Sequence, residues 1–136
     1  MFFMGPEQYE EMIAHLKSVY PYEGCGLLLG KGDRVGKVCS VENRRQERAN
    51  DRYEIDPRDI LRIEKEASRE GLDIVGFFHS HPDHPDQPSE FDRERAWPEY
   101  RYIIVSVHNG SDVSARSWVL SGEGGAFQEE ELTIEG

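Results

Sequence analysis

Two histidines, His79 and His81, stand two residues apart; seven residues then lead to Ser89, and two more to Asp92. The apolar run Ile74-Val75-Gly76-Phe77-Phe78 comes directly before them and reads as a buried strand. Side chains alternate faces along a strand, so both imidazoles leave its end on the same side. A carboxylate returned by the following loop completes a set of two nitrogens and one oxygen. That is the ligand set of a catalytic zinc, with a fourth position left for water. Asp92 is the first choice for the carboxylate. Asp83 and Asp86, in the same loop, are alternatives, and His84 reads as an exposed loop residue.

The same residues also have a structural reading. Ser89-x-x-Asp92 after Pro88 fits a capping box, with Ser89 as N-cap and Asp92 near the third helical position. The two readings support each other, because a helix starting at Ser89 fixes Asp92 in its first turn, where it can point back at the histidines. Pro82, Pro85 and Pro88 should stiffen the intervening loop.

A zinc in such a site lowers the pKa of its bound water toward neutrality and polarises a carbonyl. Hydrolysis of an amide further needs a proton shuttle that serves the water and then the departing amine. Glu23, at the entrance to Gly24–Gly30 with small glycines around it, is the preferred candidate; by residue type alone it has only a small edge over Glu42, Glu54 or Glu90. Ser89 can cap its helix and donate to the oxygen of a tetrahedral intermediate. With a metal to activate water, no serine nucleophile is needed.

The elements that must position these residues can be read in order. A helix is expected from Pro6 or Glu7 to about Val19, with Tyr9, Met12, Ile13 and Leu16 on its apolar face. Gly26–Gly30 and Val35–Val41 form a hairpin around Lys31-Gly32-Asp33. Asn43 to Arg52 is a charged loop, and Tyr53-Glu54-Ile55 is extended. Asp56 caps a second helix with Pro57 in its first position and Gly71 as its stop. After the strand to His79 and the metal loop come a short helix from Ser89 to about Trp97 and a strand from Tyr102 to His108. A turn at 108–111, a strand from Ala115 to Leu120, a loop from Gly122 to Gly125 and a final strand within Phe127–Ile134 complete the chain. The order gives an α+β fold, a mixed sheet with helices packed on it, in one domain spanning 1–136.

The 136 residues carry 27 acids against 16 lysines and arginines, a net charge of -11. That balance argues against sequence-independent nucleic-acid binding, which needs clustered cations. No apolar run approaches a membrane span, and MFFMGPEQYEE lacks the pattern of a signal peptide, so a cytoplasmic protein is expected. Cys25 and Cys39 have no metal-ligand spacing and read as buried strand thiols.

Glu23, then His79-x-His81, seven residues, Ser89, two residues and Asp92 resembles the JAMM zinc metalloproteases, the catalytic branch of the JAB/MPN superfamily, without a gap. Tyr20-Pro21-Tyr22-Glu23-Gly24-Cys25-Gly26-Leu27-Leu28-Leu29-Gly30 resembles the family's glutamate-bearing strand entrance. The likeness runs from the first helix to the strand at Trp118. It implies zinc ligation by His79, His81 and Asp92, general base and acid catalysis by Glu23, and oxyanion stabilisation by Ser89. It also implies the family fold: a curved, mostly antiparallel sheet flanked by two main helices and a short one, of cytidine-deaminase-like architecture. The compact prokaryotic members that the chain resembles cleave after the C-terminal tail of ubiquitin-fold sulfur-carrier proteins, some releasing cysteine from an adduct and others exposing the carrier's terminal glycines. A carrier or its adduct is therefore the expected substrate, its tail adding as a strand beside the sheet edge. The competing function is a non-catalytic scaffold; a DNA-repair-associated relative and a purely structural zinc fit the acidity and the ligand set less well.

Overall fold

Leu27, Leu28 and Leu29 are all fully buried, which places their strand in the middle of a sheet covered on both faces. In the computed structural model, which describes residues 1–122 and 125–135, this segment is β2 (Cys25–Lys31). It follows β1 (Phe2–Met4) and helix α1 (Pro6–Ser18), and precedes β3 (Arg34–Val41), helix α2 (Pro57–Arg69) and β4 (Asp73–Pro82). Helix α3 (Glu90–Arg95), β5 (Arg101–His108), β6 (Asp112–Leu120), β7 (Phe127–Glu130) and β8 (Leu132–Ile134) complete the order. The sheet order is β7-β6-β5-β4-β2-β3-β1-β8. The pairings of β2 with β3 and β4, of β5 with β6 and of β6 with β7 are antiparallel; β4–β5, β1–β3 and β1–β8 are parallel.

The expected final strand is two strands on opposite edges of the sheet. β7 pairs with β6 and β8 pairs with β1, yet only Glu131 separates them. Consecutive Cα atoms are ~3.8 Å apart, so the two edges must come together and the sheet curls round on itself. Arg101 and the N-terminal amine, both bonded to Glu130, help hold that junction. β1 was not foreseen: three residues are too short for a periodic signal, and Phe2 and Met4 are buried by β3, β8 and the α1-side core, all of them distant in sequence or assembled late.

Each sheet face has its own core. Met12, Ile13 and Leu16 of α1 join Phe2, Met4, Leu28, Phe78, Ile103 and Val105 on one face. Ile63 and Ala67 of α2 pack with Cys25, Leu27, Leu29 and Val41 on the other. Asp56 caps α2 as expected, its carboxylate accepting from the Arg58 amide, and Gly71 ends the turn beyond it at φ +73°. Gly26 is required by close approach: a Cβ there would meet Phe78 Cζ at 2.3 Å and the Cys39 carbonyl at 2.5 Å. Cys25 and Cys39 are both free; Cys25 is buried and Cys39 half-buried. They lie two residues out of register, opposite Val41 and Leu27 respectively. Tyr53-Glu54-Ile55 forms no strand. Of the expected loop at Gly122 to Gly125, Glu123 and Gly124 lie outside the described residues. Among the described residues no helix is long and apolar enough to cross a membrane.

Candidate metal centre

β4 is longer than the apolar run that announces it, continuing through both histidines to Pro82. His79 still pairs with Cys25 of β2 and with Ile104 of β5, so its backbone is held on both sides. His81 lies where β2 has ended, with Ser106 of β5 as its one strand partner. Between them, Ser80 faces the other way, and its hydroxyl accepts from the Gly24 amide at 2.9 Å. The Ser80 amide donates to the Gly24 carbonyl at 3.1 Å. The alternation that puts two imidazoles on one face thus uses the residue between them to pin the chain next to Glu23.

Helix α3 begins as the capping box requires. Ser89 Oγ accepts from the Asp92 amide at 3.1 Å, and Asp92 Oδ2 accepts from the Ser89 amide at 2.9 Å. This turn aims the Asp92 carboxylate at the histidines: Oδ1 lies 3.1 Å from His79 Nε2 and Oδ2 lies 3.0 Å from His81 Nε2. The two Nε2 atoms are 3.2 Å apart. All three side chains are buried.

His81 Nδ1–H donates to the Pro85 carbonyl at 2.8 Å, which leaves the Nε2 lone pair of a neutral ring facing the cluster. His79 Nδ1 is buried with no hydrogen-bond partner; its ring is held instead by Tyr53, stacked at 4.4 Å between centroids and 23° between planes. Burial lowers the pKa of His79. Burial acts the same way on His81, but the hydrogen bond and charge of Asp92 outweigh it and raise that ring's pKa. Burial alone would raise Asp92, yet the two imidazoles hold its carboxyl well below the usual range.

Two nitrogens and a carboxylate converge at 3.0–3.2 Å, an arrangement that a proton or a metal ion can bridge. The donor set and spacing fit a metal ion: tetrahedral ligands ~2.0–2.1 Å from a zinc stand about 3.3 Å from one another. Among the described residues these three are the cluster able to hold one. Asp83 and Asp86 face elsewhere. Asp83 accepts from Tyr20 and from the Asn109 amide, and Asp86 pairs with Arg116 at 3.2 Å. His84 is exposed.

Glu23 comes to the same place from 56 residues earlier than His79. It lines, with His81 and Ser89, an open cleft of about 480 Å³. Its side chain is 4% exposed and Oε1 has no protein partner. Burial pushes its pKa up to about 8; His81 pulls it down, and the charges of Asp92 and Asp51 add to the rise. Its backbone is clamped, the amide to the Ala49 carbonyl and the carbonyl to Asn43 Nδ2. Asn43 also bonds the Arg52 carbonyl and the amides of Arg45 and Glu54. Sequence reasoning missed Asn43, Ser80 and Tyr53. The available signal was an amide-bearing residue opening a long polar loop, a short polar residue inside a buried strand, and an aromatic ring beside the helix cap. Glu42 and Glu90 are exposed, and Glu54 faces Arg95 at 3.9 Å.

The site lies away from the two outer edges of the sheet, where β4 runs on past the end of β2. The site is carried by β4, which has β2 and β5 as neighbours, whereas the sheet ends at β7 and β8. The cluster opens at His81 onto a cleft between the Arg48–Arg52 loop and the Pro85–Phe91 segment.

Comparison with known proteins agrees with this architecture. Residues 6–121 match the Prok-JAB family model, prokaryotic homologs of the JAB domain. A desampylase of Pyrococcus furiosus is 34% identical across 96% of this chain and 89% of its own length. A probable TtuB-protein conjugate cleaving protease of Thermus thermophilus is 36% identical across 72% of this chain and 65% of its own. The solution structure of a Desulfitobacterium hafniense protein superposes with a TM-score of 0.86 at 33% identity, covering all of this chain and 94% of the other. The chain belongs to the prokaryotic branch of the JAB domain family.

Proposed function

We propose that the protein is a zinc-dependent peptidase or isopeptidase that hydrolyses the amide bond after the C-terminal tail of a ubiquitin-like carrier protein. The observation that carries this reading is the juxtaposition of the His79, His81 and Asp92 cluster with a buried Glu23, whose Oε1 has no protein partner, on a cleft that Glu23 and His81 both line. The names of the two relatives, a desampylase and a conjugate cleaving protease, support the reaction and the substrate class.

His79 Nε2, His81 Nε2 and the Asp92 carboxylate would hold the zinc. When bound, it supplies an acidified water and polarises the scissile carbonyl. Glu23 takes the proton from the attacking water and gives it to the departing amine. Its raised pKa suits both halves of that task, since a carboxyl near neutrality accepts and releases a proton at similar cost. Ser89 is exposed at the cleft, and its hydroxyl hydrogen is free to donate to the developing oxyanion while its oxygen accepts from Asp92. Pro85 and Tyr53 keep the two imidazoles oriented. The two free thiols fit a cytoplasmic setting.

The test is incubation of zinc-loaded protein with a carrier joined through its terminal glycine to a lysine side chain, read by mass spectrometry. The expected products are the carrier with a free C-terminal carboxylate and an unmodified lysine. Intact conjugate that stays bound would instead establish the scaffold reading.

A further inference from the structure

Phe91, on α3 at the cleft wall, is surrounded by cations. The guanidinium carbons of Arg95, Arg52 and Arg45 lie 4.4, 4.8 and 5.5 Å from its ring centroid. Arg95 has Glu54 at 3.9 Å. Arg45 and Arg52 have no carboxylate within ion-pair reach among the described residues, in a chain that carries 27 acids. Arg45 is spent only on the Glu47 carbonyl at 3.4 Å. Like charges gathered on one ring repel, and the aromatic face offsets part of that repulsion. An arriving carboxylate would give these guanidiniums the charge partner they lack and relieve their repulsion.

The surrounding charge gives the site direction. Residues 43–52 hold four arginines against Glu47 and Asp51, a local net charge of +2 in a chain of net charge -11. An acidic protein is therefore repelled by most of the surface and least by this loop, which orients the encounter. Resting on the peptidase reading above, the occupant can be assigned to one side of the scissile bond. The carrier is the part common to every conjugate while the amine-bearing side varies, so recognition that serves all substrates has to fall on the carrier.

We propose that Arg45 and Arg52, stacked on Phe91, form a receptor for an acidic side chain of the carrier protein just upstream of its C-terminal glycines, and so select acidic-tailed carriers. The probes are fluorescein-labelled peptides ending in Gly-Gly, with glutamate at successive upstream positions, and matched peptides with glutamine or lysine there. Binding to the zinc-loaded full chain is read by anisotropy at low and high salt. At one position the glutamate peptide is expected to bind about tenfold more tightly than its glutamine match, with the advantage shrinking as salt rises. In R45E/R52E the preference should reverse toward the lysine peptide, a change that a merely structural role for these arginines would not produce. Equal binding of glutamate and glutamine peptides by wild type, or an unaltered preference in R45E/R52E, overturns the proposal. Cleavage of a carrier–lysine conjugate, followed in parallel, separates this failure from that of the peptidase reading. Preference without cleavage keeps the receptor and sinks the enzyme; cleavage without preference does the reverse.

Discussion

Glu23 is buried where a carboxylate is poorly solvated, and that has two measurable consequences. The first is kinetic. Glu23→Gln keeps the shape and removes the proton carrier, so cleavage should fall about 10²- to 10⁴-fold with zinc still bound. Turnover equal to wild type would assign the shuttle elsewhere. The second is thermodynamic. The folded pKa of Glu23, about 8, lies above its ordinary 4.5. Between those values the folded state holds a proton that the unfolded chain releases. Stability from this group is therefore complete below pH 4.5 and is lost as pH rises through about 8, at ~1.4 kcal/mol per pKa unit. Metal-free wild type should thus melt progressively lower from pH 5 to pH 9 relative to metal-free Glu23→Gln. Melting curves that stay parallel across that range would contradict the burial argument. The role proposed for Glu23 came only through resemblance, because with 27 acids in the chain no residue type singles it out and the fold alone brings it to the histidines.

At the scale of elements, the site depends on a strand that ends late and a helix that starts on a cap. Ser89→Ala removes the acceptor for the Asp92 amide and should destabilise by about 1 kcal/mol, while weakening zinc binding about tenfold through a less fixed Asp92. Unchanged zinc affinity would show that the Ser89 amide, bonded to Asp92 Oδ2, suffices. Gly26→Ala places a methyl group against the Phe78 ring and the Cys39 carbonyl, with an expected loss of roughly 1–3 kcal/mol in urea denaturation. These parts could be read from sequence because their causes are local: alternation in a strand, a capping box, a proline at a helix start, a glycine at its end. The unread parts have distant causes. The Tyr53 ring rests on His79 and Asn43 holds Glu23 only after β2, β4 and the long loop have assembled. The last strand divides at Glu131 because two sheet edges, far apart in the chain, meet there.

For the whole molecule, the cluster couples metal to stability. Two ring nitrogens and a carboxylate converge within 3.2 Å, so a metal bound there replaces protons and ties β4 to α3. Zinc at a thousand times its dissociation constant should add about 4 kcal/mol, seen as a higher melting temperature that a chelator reverses. The central claim is that one metal held by His79, His81 and Asp92 serves amide hydrolysis. Turnover of a carrier–lysine conjugate, measured as zinc is returned stepwise to metal-stripped wild type and to Asp92→Asn, tests it most directly. Activity should rise in proportion to bound zinc, level off at about one per chain, and be absent in Asp92→Asn. Full turnover in the stripped protein, or in Asp92→Asn, would contradict it.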